Sequence, residues 1–345
     1  MNQNIYVLGT TIETGELIKN LVSKFTISGV LTLKSSTDIS DISGNLNLRD
    51  LLSKLEVPVY DVHSYNLNNE NDFKLLAKLK IDILIVYGWQ RLVPAWLLNH
   101  VSIAAIGVHG SSDGITAGRG RSPQNWALIL GATRFYFSLF QLSDGIDSGP
   151  IISSASYLIL PEDDIRTLYK KLTKISSELI YKFLSDPTLS LESSISQEGE
   201  AYYYPKRVAA DGVIDWRSNS ESIQNLVRGI TKPYPGAFTW YRNQKIFIWK
   251  VKKIVLNNPN EIYHPGIIIS KKDKYDFCIS TGDGLINVLD YTFDSPLEIK
   301  EGESFTSSSE YDVISNIIQR HYQTYPNLKI SPRLINYLES LDVRK

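Results

Sequence analysis

Residues Ile106–Leu128 read IGVHGSSDGITAGRGRSPQNWAL and set one histidine, His109, among glycines, serines and two arginines. An imidazole, whose unperturbed pKa lies near 6.5, suits proton transfer at neutral pH, and a carboxylate beside it would orient it. Asp147, in the loop Ser143-Asp-Gly-Ile-Asp-Ser-Gly-Pro150, is the candidate carboxylate. The plainer alternatives are a histidine hydrogen-bonded at a strand end and a glycine-rich surface turn. Arg119 and Arg121 are flanked by glycines that let backbone approach a ligand closely, which suits a carboxylate or phosphate; a solvated turn is the alternative. The chain carries no P-loop, His-Glu-x-x-His, Cys-x-x-Cys or serine-nucleophile elbow, which argues against several common enzyme classes.

These groups need a scaffold. The apolar run Ile5–Leu8, helical spacing through Leu17, Ile18 and Leu21, and the run Ile27–Leu33 predict a βαβ opening. Gly9 stands alone there, without the further glycines of a dinucleotide fingerprint. Ser36–Asn45 reads as a loop, Val57–Tyr60 as a strand, and Asp72–Leu79 as an amphipathic helix. Ile81–Tyr87 is the strongest strand signal, of the kind covered on both faces of a parallel sheet. Gly88, Trp89 and Gln90 follow at its carboxyl end, the edge where open parallel sheets bind ligands.

Ile103–Val108 predicts a strand that His109 closes at the sheet's carboxyl edge. Pro123–Leu130 reads as a helix, Phe135–Leu142 and Ile151–Leu160 as strands, and a βαβ arrangement would carry the 143–150 loop to His109 at that edge. Ile165, Leu168, Leu172, Ile175 and Leu179 recur at alternating three and four, predicting a helix that starts at Asp163 and Asp164 and ends before Pro187. Ser185–Gly199 lacks periodicity and holds the expected linker. Beyond it, a short helix near Ile223–Ile230 precedes strand-like alternation from Phe238 to about Leu289, which argues a small β-barrel or sandwich. Ser307–Lys345 reads as two amphipathic helices split by Pro326 and Pro332, either covering the barrel or building a dimer interface.

Bulk properties narrow the field. The chain has 345 residues, 43% of them hydrophobic, enough for two domains, and its formal net charge of −1 offers no general field for nucleic acid or an anionic membrane. Cys278 stands alone, so it makes no intrachain disulfide and no metal cluster; a reducing compartment is expected. No basic leader with an apolar core opens the sequence, and no window approaches the roughly 18 apolar residues of a membrane span. A cytoplasmic protein with no metal is the expectation.

Taken together, His109, Ser111, Arg119-Gly-Arg-Ser-Pro123, Trp126 and Asp147-Ser-Gly149 resemble the signature of the formyltransferase family that uses 10-formyltetrahydrofolate. Pro205–Arg207, Asp211–Trp216 and Pro233–Phe238 match the linked pattern of the family's second half, so the resemblance spans roughly residues 1–290. It implies an α/β fold, a Rossmann-like, mostly parallel sheet with helices on both faces, followed by a small OB-like β-barrel. The expected division is a catalytic domain over 1–190, a linker over 191–204, a β domain over 205–300 and a helical extension over 301–345.

The resemblance implies His109 and Asp147 as catalytic residues. It implies Gly88, Trp89, Gln90, Arg121 and the loop residues Ser143, Asp144, Gly145, Ile146 and Asp147 as folate contacts, with Ser111 and Arg119 on the acceptor. Formyl transfer to an amine needs an oxyanion donor, a proton taken from the attacking nitrogen and one given to the leaving N10. The family places an asparagine two residues before the histidine as one donor; this chain has Gly107 there. The segment between Ser111 and Arg119 is also about two residues longer than the family's, and Gln90 stands where the family often has arginine. Ser112, Asp113, Thr116 or a backbone N–H near Gly107 and Gly110 could supply the missing donor.

The near-neutral charge and the Gly-Arg-Gly-Arg-Ser-Pro and Gln-Asn-Trp run are similar to the branch that acts on nucleotide-linked amino sugars. The implied acceptor is a nucleotide-linked dideoxy amino sugar destined for a surface polysaccharide or lipopolysaccharide, and the implied assembly is a homodimer. Two alternatives stay open: methionyl-tRNA formyltransferase, and a non-catalytic folate- or sugar-binding homologue, which Gly107 keeps in view.

Overall fold

The computed structural model describes residues 3–34, 47–254, 264–273, 276–293 and 297–342; the loop expected at Ser36–Asn45 lies outside them. The chain divides into two units, one of residues 1–119, 136–157 and 169–200, the other of 120–135, 158–168 and 201–345.

The first unit is built on β1 (Ile5–Leu8), β2 (Ile27–Leu33), β3 (Val59–Val62), β4 (Ile83–Val86), β5 (Ala104–Ser111), β7 (Arg134–Gln141) and β8 (Ile151–Leu158), with the two-residue β6 (Arg119–Gly120) between β5 and β7. The sheet order is β3-β2-β1-β4-β5-β7-β8, and β1 to β5 are mutually parallel. Alternate side chains bury on opposite faces. Tyr6, Leu8, Leu31 and Leu84 pack with Leu76 and Leu97 on one side, while Val7, Val30 and Ile85 are buried on the other. There the Ile12–Leu21 and Ile165–Ser185 helices are joined by Asn20 Nδ2 donating to Ser177 Oγ at 3.0 Å. Among the described residues, no helix is long and apolar enough to cross a membrane.

One expected connection is different. β7 runs antiparallel to β5, in the register Ile106↔Gln141, Gly107↔Phe140 and His109↔Ser138. The segment from β5 to β7 is therefore not a βαβ crossover, yet β7 ends at Gln141 opposite Ile106, one row from the end of β4 at Val86, so its loop still leaves at the carboxyl edge of the parallel strands. Nor does His109 close its strand, because β5 continues to Ser111. β8 returns antiparallel, with Gln141 N donating to Pro150 O at 2.9 Å and Ile159 N to Thr133 O at 2.8 Å. An apolar run such as Phe135–Leu142 reads alike in either direction, so the pattern alone could not tell these apart.

In the second unit, after β9 (Tyr203–Tyr204), five antiparallel strands β10 (Ala237–Tyr241), β11 (Gln244–Ile254), β12 (Ile268–Asp273), β13 (Asp276–Ser280) and β14 (Leu285–Phe293) form a sheet of order β10-β11-β14-β13-β12. The segment 304–306 bridges to both edges, at Trp240 and Ile267, and closes it. Ile314, Ile317, Leu334 and Leu341, from the helices Glu310–Thr324 and Pro332–Asp342, join Trp126, Trp216 and the barrel residues in one buried cluster. The C-terminal helices thus complete this unit's own core.

Between the long helix and β9, the segment is tied down rather than free. Ile195 exchanges backbone hydrogen bonds with Ile151 at 2.7 and 2.8 Å, all within the first unit.

Candidate active site

Four pieces of the first unit converge around β5. Val86 pairs with Gly107, which pairs with Phe140, so the exits of β4 and β7 lie within one row of Gly107. Gly88 follows β4 at φ +74°, where a Cβ would fall 2.3 Å from Thr11 Oγ1, so only glycine fits this approach to the first helix. Trp89 is buried, meets Tyr65 edge-on at 4.7 Å, and its Nε1 has no acceptor among the described residues. Gln90 N donates to Tyr65 Oη at 2.9 Å. At the end of the same strand burial pushes the Tyr87 hydroxyl up to about 12, so it stays protonated at neutral pH.

Although β7 runs antiparallel to β5, its loop emerges beside the end of β4 and doubles back. Gly149 lies where a Cβ would come within 1.7 Å of Gln141 O, so the chain doubles tightly against the strand it has just left. Ser143 and Ser148 share a hydroxyl hydrogen bond at 2.9 Å across the loop. Asp147 is held at φ +47°, a left-handed conformation that costs energy for any residue with a side chain. Its Oδ2 reaches 3.6 Å from His109 Nδ1, with 11% of the His109 side chain and 22% of the Asp147 side chain exposed. The other ring nitrogen, Nε2, lies 3.0 Å from Gly118 O. A carbonyl only accepts, so Nε2 carries a proton and Nδ1 is the ring position that faces Asp147.

The remaining candidates divide. Ser111 is fully buried; its hydroxyl donates to Gly114 O at 2.8 Å and accepts from Asp113 N at 2.9 Å, so it builds the turn after β5. Arg119 Nη2 donates to Gln197 Oε1 at 2.8 Å. Arg121 and Trp126 fall in the second unit. There Arg121 N donates to Tyr204 O at 3.0 Å, and Trp126 is wholly buried, stacked on Tyr204 at 6.1 Å with its Nε1 on Pro205 O at 2.9 Å. Arg207 lies 4.9 Å over the same indole, and burial lowers its guanidinium to about 10 against the opposing pull of Asp211.

Of the groups that could stand in for the absent asparagine, Thr116 Oγ1 is engaged with Gln197 Oε1 at 3.0 Å. A side chain at Gly107 would meet Leu142 Cδ2 at 3.1 Å from its Cβ. Leu142 therefore crowds the space that a longer residue at 107 would enter. Sequence reasoning missed Leu142, Tyr65 and Gln197, because none stands in a motif and each acts across a long sequence separation.

Beside this centre a cavity of about 680 Å³ opens between the turn after β5 and the β7–β8 hairpin, lined among others by Ser112, Thr116, Tyr136, Ser138, Ser154 and Glu200. Ser138 is the cross-strand partner of His109. Apolar side chains such as Ile115 and Ile151, aromatic rings, hydroxyls and the carboxylates of Asp113, Glu198 and Glu200 line it, with no cationic side chain among the described lining.

The first unit is thus a mostly parallel sheet carrying a His–Asp pair and the second a closed antiparallel barrel. The chain belongs to the formyl transferase family: the Formyl transferase family model matches residues 5–184, and the Formyl transferase, C-terminal domain model matches 207–303. It is 34% identical over 203 residues to the bifunctional polymyxin resistance protein ArnA of Wigglesworthia glossinidia brevipalpis, covering 58% of this chain and 30% of that protein. The match thus spans under a third of the relative's length.

Among solved structures, a HypX variant from Aquifex aeolicus superposes with a TM-score of 0.58 at 15% identity, over 92% of this chain and 48% of that one. An N-formyltransferase from Helicobacter canadensis, crystallised with folinic acid and dTDP-3-aminofucose, gives 0.58 at 15% identity, over 84% of this chain and all of that one. At these identities the structures speak for the fold.

Proposed function

We propose that the chain transfers a formyl group from 10-formyltetrahydrofolate to the amine of a nucleotide-linked amino sugar. The observation that carries this reading is the His109–Asp147 pair, 3.6 Å apart, in a chain of the formyl transferase family. The folate would supply the formyl group, held by Gly88–Gln90 and the Ser143–Asp147 loop. Trp89 Nε1, a buried donor without an acceptor among the described residues, fits a site that a ligand atom completes. Asp147 and His109 Nδ1 exchange the proton that the attacking amine sheds and the leaving nitrogen needs. Their separation exceeds a hydrogen bond, so the proton passes once a bound substrate draws the two groups together.

The hydroxyl- and carboxylate-lined cavity suits the acceptor's sugar, whose amine arrives as a cation. The sugar branch is further supported by the ArnA relative and by the neighbour crystallised with dTDP-3-aminofucose. Formation of the product in the cytoplasm for a surface polysaccharide, by a homodimer, completes the reading. The test is a panel of nucleotide-linked amino sugars, plus charged initiator tRNA, incubated with 10-formyltetrahydrofolate while tetrahydrofolate release is followed. Turnover with an amino sugar is expected; turnover with the tRNA alone replaces the acceptor, and no product with any amine overturns the transfer itself.

A further inference from the structure

Gln197 belongs to the unpatterned polar run Ser196-Gln-Glu-Gly-Glu200, and nothing in its sequence context marks it. In the structure its carboxamide makes four hydrogen bonds. Nε2 donates to Asp147 O at 2.8 Å and to Gly149 O at 2.9 Å. Oε1 accepts from Thr116 Oγ1 at 3.0 Å and from Arg119 Nη2 at 2.8 Å. Two carbonyls on one side and a guanidinium on the other leave one orientation for the amide. The backbone is fixed by the neighbouring Ile195–Ile151 pair.

The two carbonyls belong to the loop that presents Asp147 in its left-handed conformation. The two donors flank the turn Thr116–Gly118, whose Gly118 O takes His109 Nε2. One amide therefore joins the piece that holds the carboxylate to the piece that holds the imidazole. We infer that Gln197 is a positioning residue that sets the separation and alignment of Asp147 and His109, touching neither reacting group itself. It anchors the segment after β5 that is longer here than in the family pattern. A glutamate of the same shape would keep the acceptors for Thr116 and Arg119 but turn a carboxylate oxygen onto two carbonyl oxygens.

The kinetic part of the test rests on the formyl-transfer reading; the spectroscopic part does not. Gln197→Glu and Gln197→Ala are compared with the parent protein, each below its melting transition. For Gln197→Glu, kcat should fall on the order of 10²-fold, the scale of an ångström-sized misplacement. KM for both substrates should change little, and activity should recover partly as the pH is lowered and the new carboxyl regains a donor proton. In the substrate-free proteins the His109 ring ¹⁵N resonances should shift in both variants. Shifted resonances in a protein that formylates no amine keep the latch and remove the transfer reading. Unmoved His109 resonances overturn the latch, whether kcat is retained or lost, as does a rise in KM at unchanged kcat.

Discussion

His109 and Trp216 stand in equally well-marked stretches of this chain, yet the structure turns them in opposite directions. His109 sits inside a strand with both ring nitrogens facing oxygen atoms and part of its edge open. Trp216 is fully buried, its Nε1 satisfied by Thr239 Oγ1 at 3.1 Å and its backbone N–H by Ser307 Oγ at 3.0 Å. Asp147 is similarly matched by Asp211. The first is partly open and held in a costly conformation; the second is buried, accepts from Val208 N at 2.7 Å and is clasped by Arg320 Nη2 at 2.7 Å from both oxygens. The two residues proposed to carry chemistry keep an open edge or strain, while the two that carry the fold are closed off by their partners.

Substitutions on the two sides should separate cleanly. His109→Ala should lower kcat about 10²- to 10⁴-fold, the usual worth of a positioned acid–base group, while the urea midpoint stays near that of the parent. Steady-state kinetics beside equilibrium unfolding measures both. Trp216→Ala should do the reverse, costing about 3–5 kcal/mol of stability as expected for deleting a large buried ring. An unaltered unfolding midpoint in that variant would erase the distinction between the two motifs.

The same contrast explains what could be read beforehand. The βαβ opening, the Ile165–Ser185 helix and the second unit's antiparallel strands follow from periodicity, because each buries one regular face. His109 and Asp147 were legible as residue types. The route that joins them was not: an apolar strand does not announce its direction, and the fold-back depends on Gly149 meeting Gln141 O. Trp126 belongs to the family signature, and its indole serves the packing around Tyr204. Gln197 lies 50 residues from Asp147 and offers only a carboxamide in a polar run, so its four partners are visible only in three dimensions.

Gly107 tests the boundary between the two kinds of residue. Gly107→Asn by itself should lower activity, because its Cβ would stand 3.1 Å from Leu142 Cδ2 and the longer side chain would have to displace that leucine. Adding Leu142→Ala should relieve the crowding, so the double variant should be more active than Gly107→Asn alone. A double variant no better than the single one would mean that Leu142 is not what excludes a side chain at this position.

The smallest effect belongs wholly to the second unit. Glu303 accepts hydrogen bonds from Arg242, with Nε at 2.7 Å, and from Tyr241 Oη at 2.6 Å. These bonds hold its carboxyl down to about 2 from an ordinary 4.5. A carboxyl depressed in the folded state favours folding fully above its unfolded value, and that contribution fades as pH falls from about 4.5 towards 2. Arg242→Ala removes the principal cause, so the acid-unfolding midpoint should move to higher pH. Stability at pH 7 should change little, as expected of a solvent-screened surface ion pair. Activity at neutral pH should not respond, since no part of this cluster lies in the first unit; an equal loss of kcat would show that the barrel edge influences the His109 site.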